Sequence, residues 1–303
     1  SKNSAKNAVP RVFQIQFFVI IVEKNIKFKV HHQCHQCGAP VILEEETRFF
    51  VCEFCRVRSC ISQISFSRYQ FSPSKETNEN EHIFYLPYWR FKGVRYTCTL
   101  MGVEHKFLDI SSLAIENPPS NIPVSLGFRS QSLALNFVKE KTKTTFLKPK
   151  GYKRSLFNMG KRARSNDKIV IQENIGETTS LIYSPFFFKN DKLFDGILNK
   201  SIGPVDPRQF DIQTYESCRP EKEIFFVPGI CPSCGWDLGG HSDSLVLICS
   251  NCETLWRSHK KKLAKIKFGC VNPVSNTDVM LPFWKINADI SKIDLKSNTD
   301  LIK

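Results

Sequence analysis

Alanine is scarce in this chain, with eight among 303 residues against 25 phenylalanines. A sequence so poor in the best helix former and so rich in aromatic and β-branched residues does not describe a helical bundle. No segment keeps a helical spacing of apolar positions either. Catalytic motifs are also missing: there is no glycine-rich phosphate loop, no H-E-x-x-H and no G-x-S-x-G. What remains are scattered polar residues such as His82, His105 and Asp109, which only the fold could assemble. The chain is expected not to be an enzyme. Long apolar runs are absent too. The one candidate, residues 12–22, is too short to span a bilayer and is interrupted by Gln14 and Gln16. Glu23-Lys24-Asn25 follows it where a signal peptide would place small residues. No transmembrane segment is expected.

Acidic residues are in short supply, and the net charge is +14. That balance suits a polyanionic partner, nucleic acid or an acidic protein, although a solvated surface needs no partner at all. Two clusters hold much of the excess. In residues 139–168, eleven lysines and arginines face only Glu140 and Asp167, with Gly151 and Gly160 breaking the run. This stretch reads as a basic linker. Residues 257–267, with Lys260-Lys261-Lys262 at their centre, form the other cluster.

Cysteine, by contrast, is abundant, with twelve residues. Eight of them form two quartets of one spacing: Cys34-x2-Cys37-x14-Cys52-x2-Cys55 and Cys231-x2-Cys234-x14-Cys249-x2-Cys252. After each comes a matching tetrad, Leu86-Pro87-Tyr88-Trp89 and Leu281-Pro282-Phe283-Trp284. The chain is therefore expected to be internally duplicated. C-x2-C pairs on a chain this large point to metal rather than disulfides, and to a reducing compartment, the cytoplasm. A C-x2-C turn brings two thiolates to one ion, and Gly38 and Gly235 ease the first knuckle of each quartet. Two knuckles complete a four-thiolate tetrahedron with no open position, the geometry of structural zinc. Two Zn2+ ions are expected on these eight residues. Iron is the alternative, since thiolate quartets also hold it. Arg56 and Glu253 after the second knuckles, where iron sites of the rubredoxin type carry glycine, tilt the choice toward zinc. His31, His32 and His35 find no vacancy in a complete quartet. Cys60, Cys98, Cys218 and Cys270 are left over as small core residues.

The expected fold is mainly β. Residues 41–43 and 49–51 flank a polar turn at Glu44-Glu45-Glu46-Thr47, and Trp236 to Leu238 and 245–248 repeat the pattern, so each quartet should sit on a β-hairpin. Pro87 points to a strand start or an edge. Alternation in Trp89-Arg90-Phe91-Lys92 separates aromatics from cations, with the cations on a wet face. The tetrads are expected to anchor sheet to ribbon. Seven parts follow: an N-terminal extension (1–26), a first ribbon (27–72), a first β-rich segment (83–138), the basic linker (139–168), a second β-rich segment (169–224), a second ribbon (225–258) and a C-terminal β segment (259–303).

Cys34-His35-Gln36-Cys37-Gly38 through Cys52-Glu53-Phe54-Cys55, followed by Tyr85-Leu86-Pro87-Tyr88-Trp89-Arg90-Phe91-Lys92-Gly93, resembles uncharacterised bacterial two-zinc-ribbon proteins. Cys231-Pro232-Ser233-Cys234-Gly235-Trp236 and Leu281-Pro282-Phe283-Trp284-Lys285 resemble their second copy. The resemblance implies zinc and a rubredoxin-like, four-cysteine ribbon fold, and it brings no activity. Residues 1–25 look like an addition, and the abrupt end after the second tetrad leaves room for a missing C-terminal portion. The resulting expectation is a non-catalytic zinc-binding scaffold or adaptor with two structural ribbons, binding nucleic acid through its basic clusters. The alternative is a redox or metal-handling protein using thiolate-bound iron or the spare cysteines.

Overall fold

The computed structural model describes residues 28–63, 66–77, 82–119, 121–127, 134–138, 144–150, 169–190, 192–204, 210, 212–218 and 224–269. All but Gly269 belong to one unit, Ile26–Phe268. The N-terminal extension, most of the basic linker and the second tetrad lie outside the described residues.

Among the described residues the fold is strands joined by turns, with a single 3-10 turn at Ile212–Thr214. In chain order the strands are β1 (Lys29–Gln33), β2 (Pro40–Glu44), β3 (Phe49–Val51), β4 (Arg58–Gln63), β5 (Ser67–Phe71), β6 (Phe84–Thr99), β7 (Gly102–Leu113), β8 (Leu135–Phe137) and β9 (Thr145–Leu147). They continue as β10 (Ile169–Lys189), β11 (Lys192–Asp195), β12 (Lys200–Pro204), β13 (Ser217–Cys218), β14 (Ile224–Pro228), β15 (Leu238–Gly239), β16 (Leu247–Cys249), β17 (Thr254–His259) and β18 (Lys262–Ile266). No helix among these residues is long and apolar enough to cross a membrane.

Three sheets result. The largest runs β13-β9-β6-β10-β5-β8-β1-β2, with β7 beside β6, β11 beside β10, and β12 beside β11. Its spine is the antiparallel pair β6–β10, which runs from Phe84↔Phe186 to Thr99↔Ile169 with register shifts between Gly176 and Thr178 and between Ile169 and Ile171. Sequence stretches expected as a first and a second β-rich segment are thus neighbours in one sheet. Within the stretch expected as a linker, Thr145–Leu147 form β9, paired with both β6 and β13. Gly93 faces Gly176 across the spine, and the Phe91 ring lies over the pair; a Cβ on Gly176 would sit 2.6 Å from that ring.

Both faces of β6 are covered from Phe84 to Gly93. Leu86 and Tyr88 join Phe71, Leu135, Ile182 and Phe186 in one core, while Tyr85, Trp89 and Phe91 join Leu181, Tyr183 and Phe146 in another. The first tetrad is therefore core, as an anchor should be. Pro87, however, sits in a central strand, which its missing N–H argues against. The register supplies the reason. Pairing with β9 ends at Tyr85 and pairing with β7 begins at Tyr88, so Pro87 falls in the gap between two neighbours. Its carbonyl accepts the Ala114 N–H.

The expected wet face of β6 also needs correction. Arg90 and Lys92 are 1% and 3% exposed. Arg90 donates to both Asp109 oxygens at 2.8 Å and pairs with Glu45, and its guanidinium lies 4.0 Å from the centre of the Phe28 ring. Lys92 pairs with Glu46. Burial alone would lower the Arg90 pKa, but Asp109 and Glu45 hold it raised. Thr178 and Ser180 donate to Glu45 as well. The run Glu44-Glu45-Glu46 is consequently no solvated hairpin turn. Its backbone does turn, with the Thr47 N–H reaching the Glu44 carbonyl, yet while Glu44 stays exposed the Glu45 and Glu46 carboxylates point into the sheet and hold the first ribbon on it. Nor do β2 and β3 form the expected hairpin: β2 pairs with β1, and β3 with β4.

A second sheet, β14-β4-β3, and a third, β15-β16-β17-β18, complete the unit. They place the two ribbons side by side. β14, which leads into the second quartet, pairs with β4, which leaves the first. Phe49 and Cys60 from the first ribbon pack with Val227, Leu238, Leu247 and Trp256 around Cys231 and Cys249. Arg58 adds a hydrogen bond to the Leu238 carbonyl and an ion pair with Asp237, and the Arg48 and Phe49 N–H groups reach the Ser242 carbonyl.

Candidate metal centres

Each C-x2-C knuckle is the turn of a tight backbone loop. In the first, the Gly38 N–H returns to the Cys34 carbonyl and the Cys34 N–H reaches the Ala39 carbonyl. The second and third repeat this pattern with Arg56, Cys52 and Val57, and with Gly235, Cys231 and Trp236. The fourth closes through the β16–β17 ladder pair Cys249↔Thr254. All four need a left-handed residue after the second cysteine: Gly38 at φ 74°, Arg56 at 60°, Gly235 at 75° and Glu253 at 52°. No atom lies within 4 Å of a Cβ added at Gly38 or Gly235, so the demand there is one of backbone conformation alone. Because Arg56 and Glu253 adopt the conformation of glycine, the residue type at that place does not separate zinc from iron.

The eight predicted ligands converge as two groups. In each, all four Sγ atoms lie within 4.8 Å of one another. Cys34–Cys55 and Cys37–Cys52 are 3.7 Å apart, Cys231–Cys252 3.6 Å and Cys234–Cys249 3.4 Å. Disulfide sulfurs would stand about 2.05 Å apart. Four bonds of about 2.3 Å to one tetrahedral ion set sulfurs about 3.8 Å apart, which the quartets approach. Each group fits one metal ion. Among the described residues no third group of this kind occurs.

Hydrogen bonding favours thiolate at Cys52, Cys231 and Cys234, while at Cys55 the Val57 N–H is outweighed by burial and the neighbouring cysteines, which push it up to about 12. Backbone N–H donation from Cys55, then from Phe54, outweighs burial and brings Cys52 down from 9.0 to about 7. Burial acts against Cys231, but Thr254 and the N–H groups of Ser233 and Cys234 bring it down to about 6. Asn251 and the Trp236 N–H lower Cys234. Cys252 is hydrogen-bonded by Thr254, which lowers it, yet burial and its three cysteine neighbours leave it pushed up to about 11. Thr254 is itself held in place: the Trp256 indole donates to its hydroxyl at 2.9 Å, with the Cys252 sulfur 3.0 Å away.

The histidines stand outside the quartets. His32 stacks on Phe226 with ring centres 4.3 Å apart, and His35 stacks on the same ring at 5.7 Å. Of the remaining cysteines, Cys60 is buried and its thiol pushed up to about 12 by burial. Cys218 lies 3.6 Å from the Tyr183 hydroxyl, and Cys98 is half-buried on β6. Cys270 is outside the described residues. His82 and His105 lie toward opposite ends of β6, and Asp109 is engaged by Arg90, so these polar residues do not converge.

The basic clusters differ. From the 139–168 stretch, Lys148 is paired with Glu216 at 2.7 Å and Lys150 with Glu116 at 3.3 Å. Residues 257–267 form the exposed β17–β18 hairpin, with Lys260 at φ 54° in its turn and Lys261 over the Phe225 ring at 4.5 Å. The network of Glu45, Glu46, Arg90, Lys92 and Asp109 escaped sequence reasoning. Its signal was present, since cations alternating inside a strand apolar on both faces can only be buried against carboxylates. In comparison with known proteins, no family model, no curated protein and no solved structure matches the chain.

Proposed function

We propose that this chain is a cytoplasmic, non-catalytic zinc scaffold in which two ions hold the paired ribbons rigid. The observation that carries the reading is closure. Four sulfurs saturate each tetrahedral site and among the described residues no histidine or carboxylate joins them, whereas a catalytic zinc keeps a position for water. This reading places the chain with the two-ribbon proteins it resembles and takes the matched quartets as an internal duplication. Elemental analysis of the purified protein should give two zinc per chain and a colourless solution. A visible thiolate-to-iron absorption band would overturn zinc and favour the redox alternative.

Nucleic acid is the proposed ligand, bound through the β17–β18 hairpin. Arg257, His259 and Lys262 share one face there, with Lys260 and Lys261 at the tip. Such cations grip phosphates without reading sequence, and their hold weakens steeply with salt. Electrophoretic mobility with generic DNA and RNA across a salt series should show retardation at low salt that K260A/K261A/K262A abolishes. No retardation at low salt would remove nucleic acid and leave an acidic protein as partner.

A further inference from the structure

Beyond Gly93 and Gly176 the spine leaves the core and continues as a three-stranded arm in the order β7-β6-β10. One face of the arm carries two apolar rows, Ile175-Val94-Phe107 and Ile171-Cys98-Val103, on either side of a middle row Glu173-Tyr96-His105; Val103 is 67% and Ile175 58% exposed. Along β7 the arm ends in an open edge, for among the described residues β7 pairs only with β6. The tight turn at Leu100–Met101 makes Thr99↔Gly102 a hydrogen-bonded pair, so the odd-numbered residues of β7 direct their N–H and C=O groups outward. Leu113 confirms the parity, since its N–H leaves β7 to reach the Val124 carbonyl. At Val103, His105 and Phe107 the same outward groups meet no strand among the described residues.

An edge of this length is a template for another strand, and proteins usually blunt it with charge. β7 does carry a lysine, Lys106, but Lys106 stands directly opposite Arg95 within the arm, an unfavourable like-charge pair. We propose that this edge pairs with the β7 edge of a second copy, antiparallel about a two-fold axis through His105. Only that register sets Lys106 against Glu104 of the other chain, twice, while Val103 meets Phe107 twice on the apolar face. The outward groups of Val103, His105 and Phe107 then form the ladder, and two arms become one six-stranded sheet with its apolar rows continuous across the seam. Register is thereby fixed by charge on one face and by shape on the other.

Charge exchange tests this. Sedimentation velocity of the metal-loaded full chain over a concentration series should show a monomer–dimer equilibrium. Glu104→Lys alone and Lys106→Glu alone each turn both seam contacts into like-charge pairs and should weaken dimerisation by about tenfold or more. The double variant E104K/K106E restores opposite charges and should recover the dimer. Circular dichroism of each variant checks that the sheet is kept. A monomer at every concentration overturns the proposal. So does a dimer that neither single exchange weakens, or one that the double exchange fails to restore, since its interface then lies elsewhere.

Discussion

The two quartets have the same spacing and nearly the same sulfur geometry, yet their surroundings differ. The first is fastened to the large sheet through Glu45, Glu46, Arg90 and Lys92. The second sits on a small four-stranded sheet whose core is completed by Phe49 and Cys60 from its neighbour. Hydrogen bonding differs as well. Thr254 and Asn251 serve the second quartet, and the positions with matching offset in the first are Val57 and Phe54, which offer no side-chain donor. One site leans on buried ion pairs outside it, the other on side-chain hydrogen bonds to its own sulfurs. Equal cysteine spacing sets the coordination sphere and leaves its support to the rest of the chain.

The bluntest way to break the comparison is to remove the metal. Structural zinc is worth roughly 10–16 kcal/mol in small peptides. Chelation should therefore strip hydrogen-exchange protection from β15–β18, while the β6–β10 spine keeps its own. Equal loss in both would show that the large sheet also depends on metal. Next in size is Arg90→Met, which leaves Glu45 buried beside an apolar side chain. Breaking such a pair costs about 3–5 kcal/mol, seen as a fall in denaturation midpoint, and metal affinity should drop at the first quartet more than at the second.

Acidification should separate the sites without mutation. A thiol whose pKa falls on folding contributes stability that is complete above the ordinary 9.0 and is lost as pH falls through the folded value. Cys52 and Cys231 are both lowered, and only the second quartet adds side-chain hydrogen bonds from Thr254 and Asn251, so metal should leave the first quartet at the higher pH. Metal release followed with a chromophoric chelator should show two steps, and Thr254→Val should draw the second toward the first. The smallest effect concerns the knuckles. Arg56→Gly and Glu253→Gly relieve left-handed backbone and should each stabilise by about 1 kcal/mol, measured as a raised denaturant midpoint.

The coordination chemistry was legible because it is local: a C-x2-C turn and its left-handed closing residue lie within five positions. The mainly β character was legible from the same kind of signal. What could not be read was partnership across long stretches of chain. Glu45 and Arg90 look like surface residues until β6 is known to be covered on both faces. Pro87 looks like an edge residue until the gap between β9 and β7 is known. The packing of the two ribbons through β4 and β14 has no local signature at all, since neither strand's alternation names its partner.

That β4–β14 seam joins Ile61 to Phe226, residues separated by most of the chain. During synthesis the N-terminal half emerges with β4 paired on one side only, and it must wait for residues 224–228 before the other side closes. A polypeptide halted short of them would display a bare, apolar strand margin ready to recruit other nascent chains. Quality control of truncated products should therefore matter more for this protein than its thermodynamic stability alone suggests.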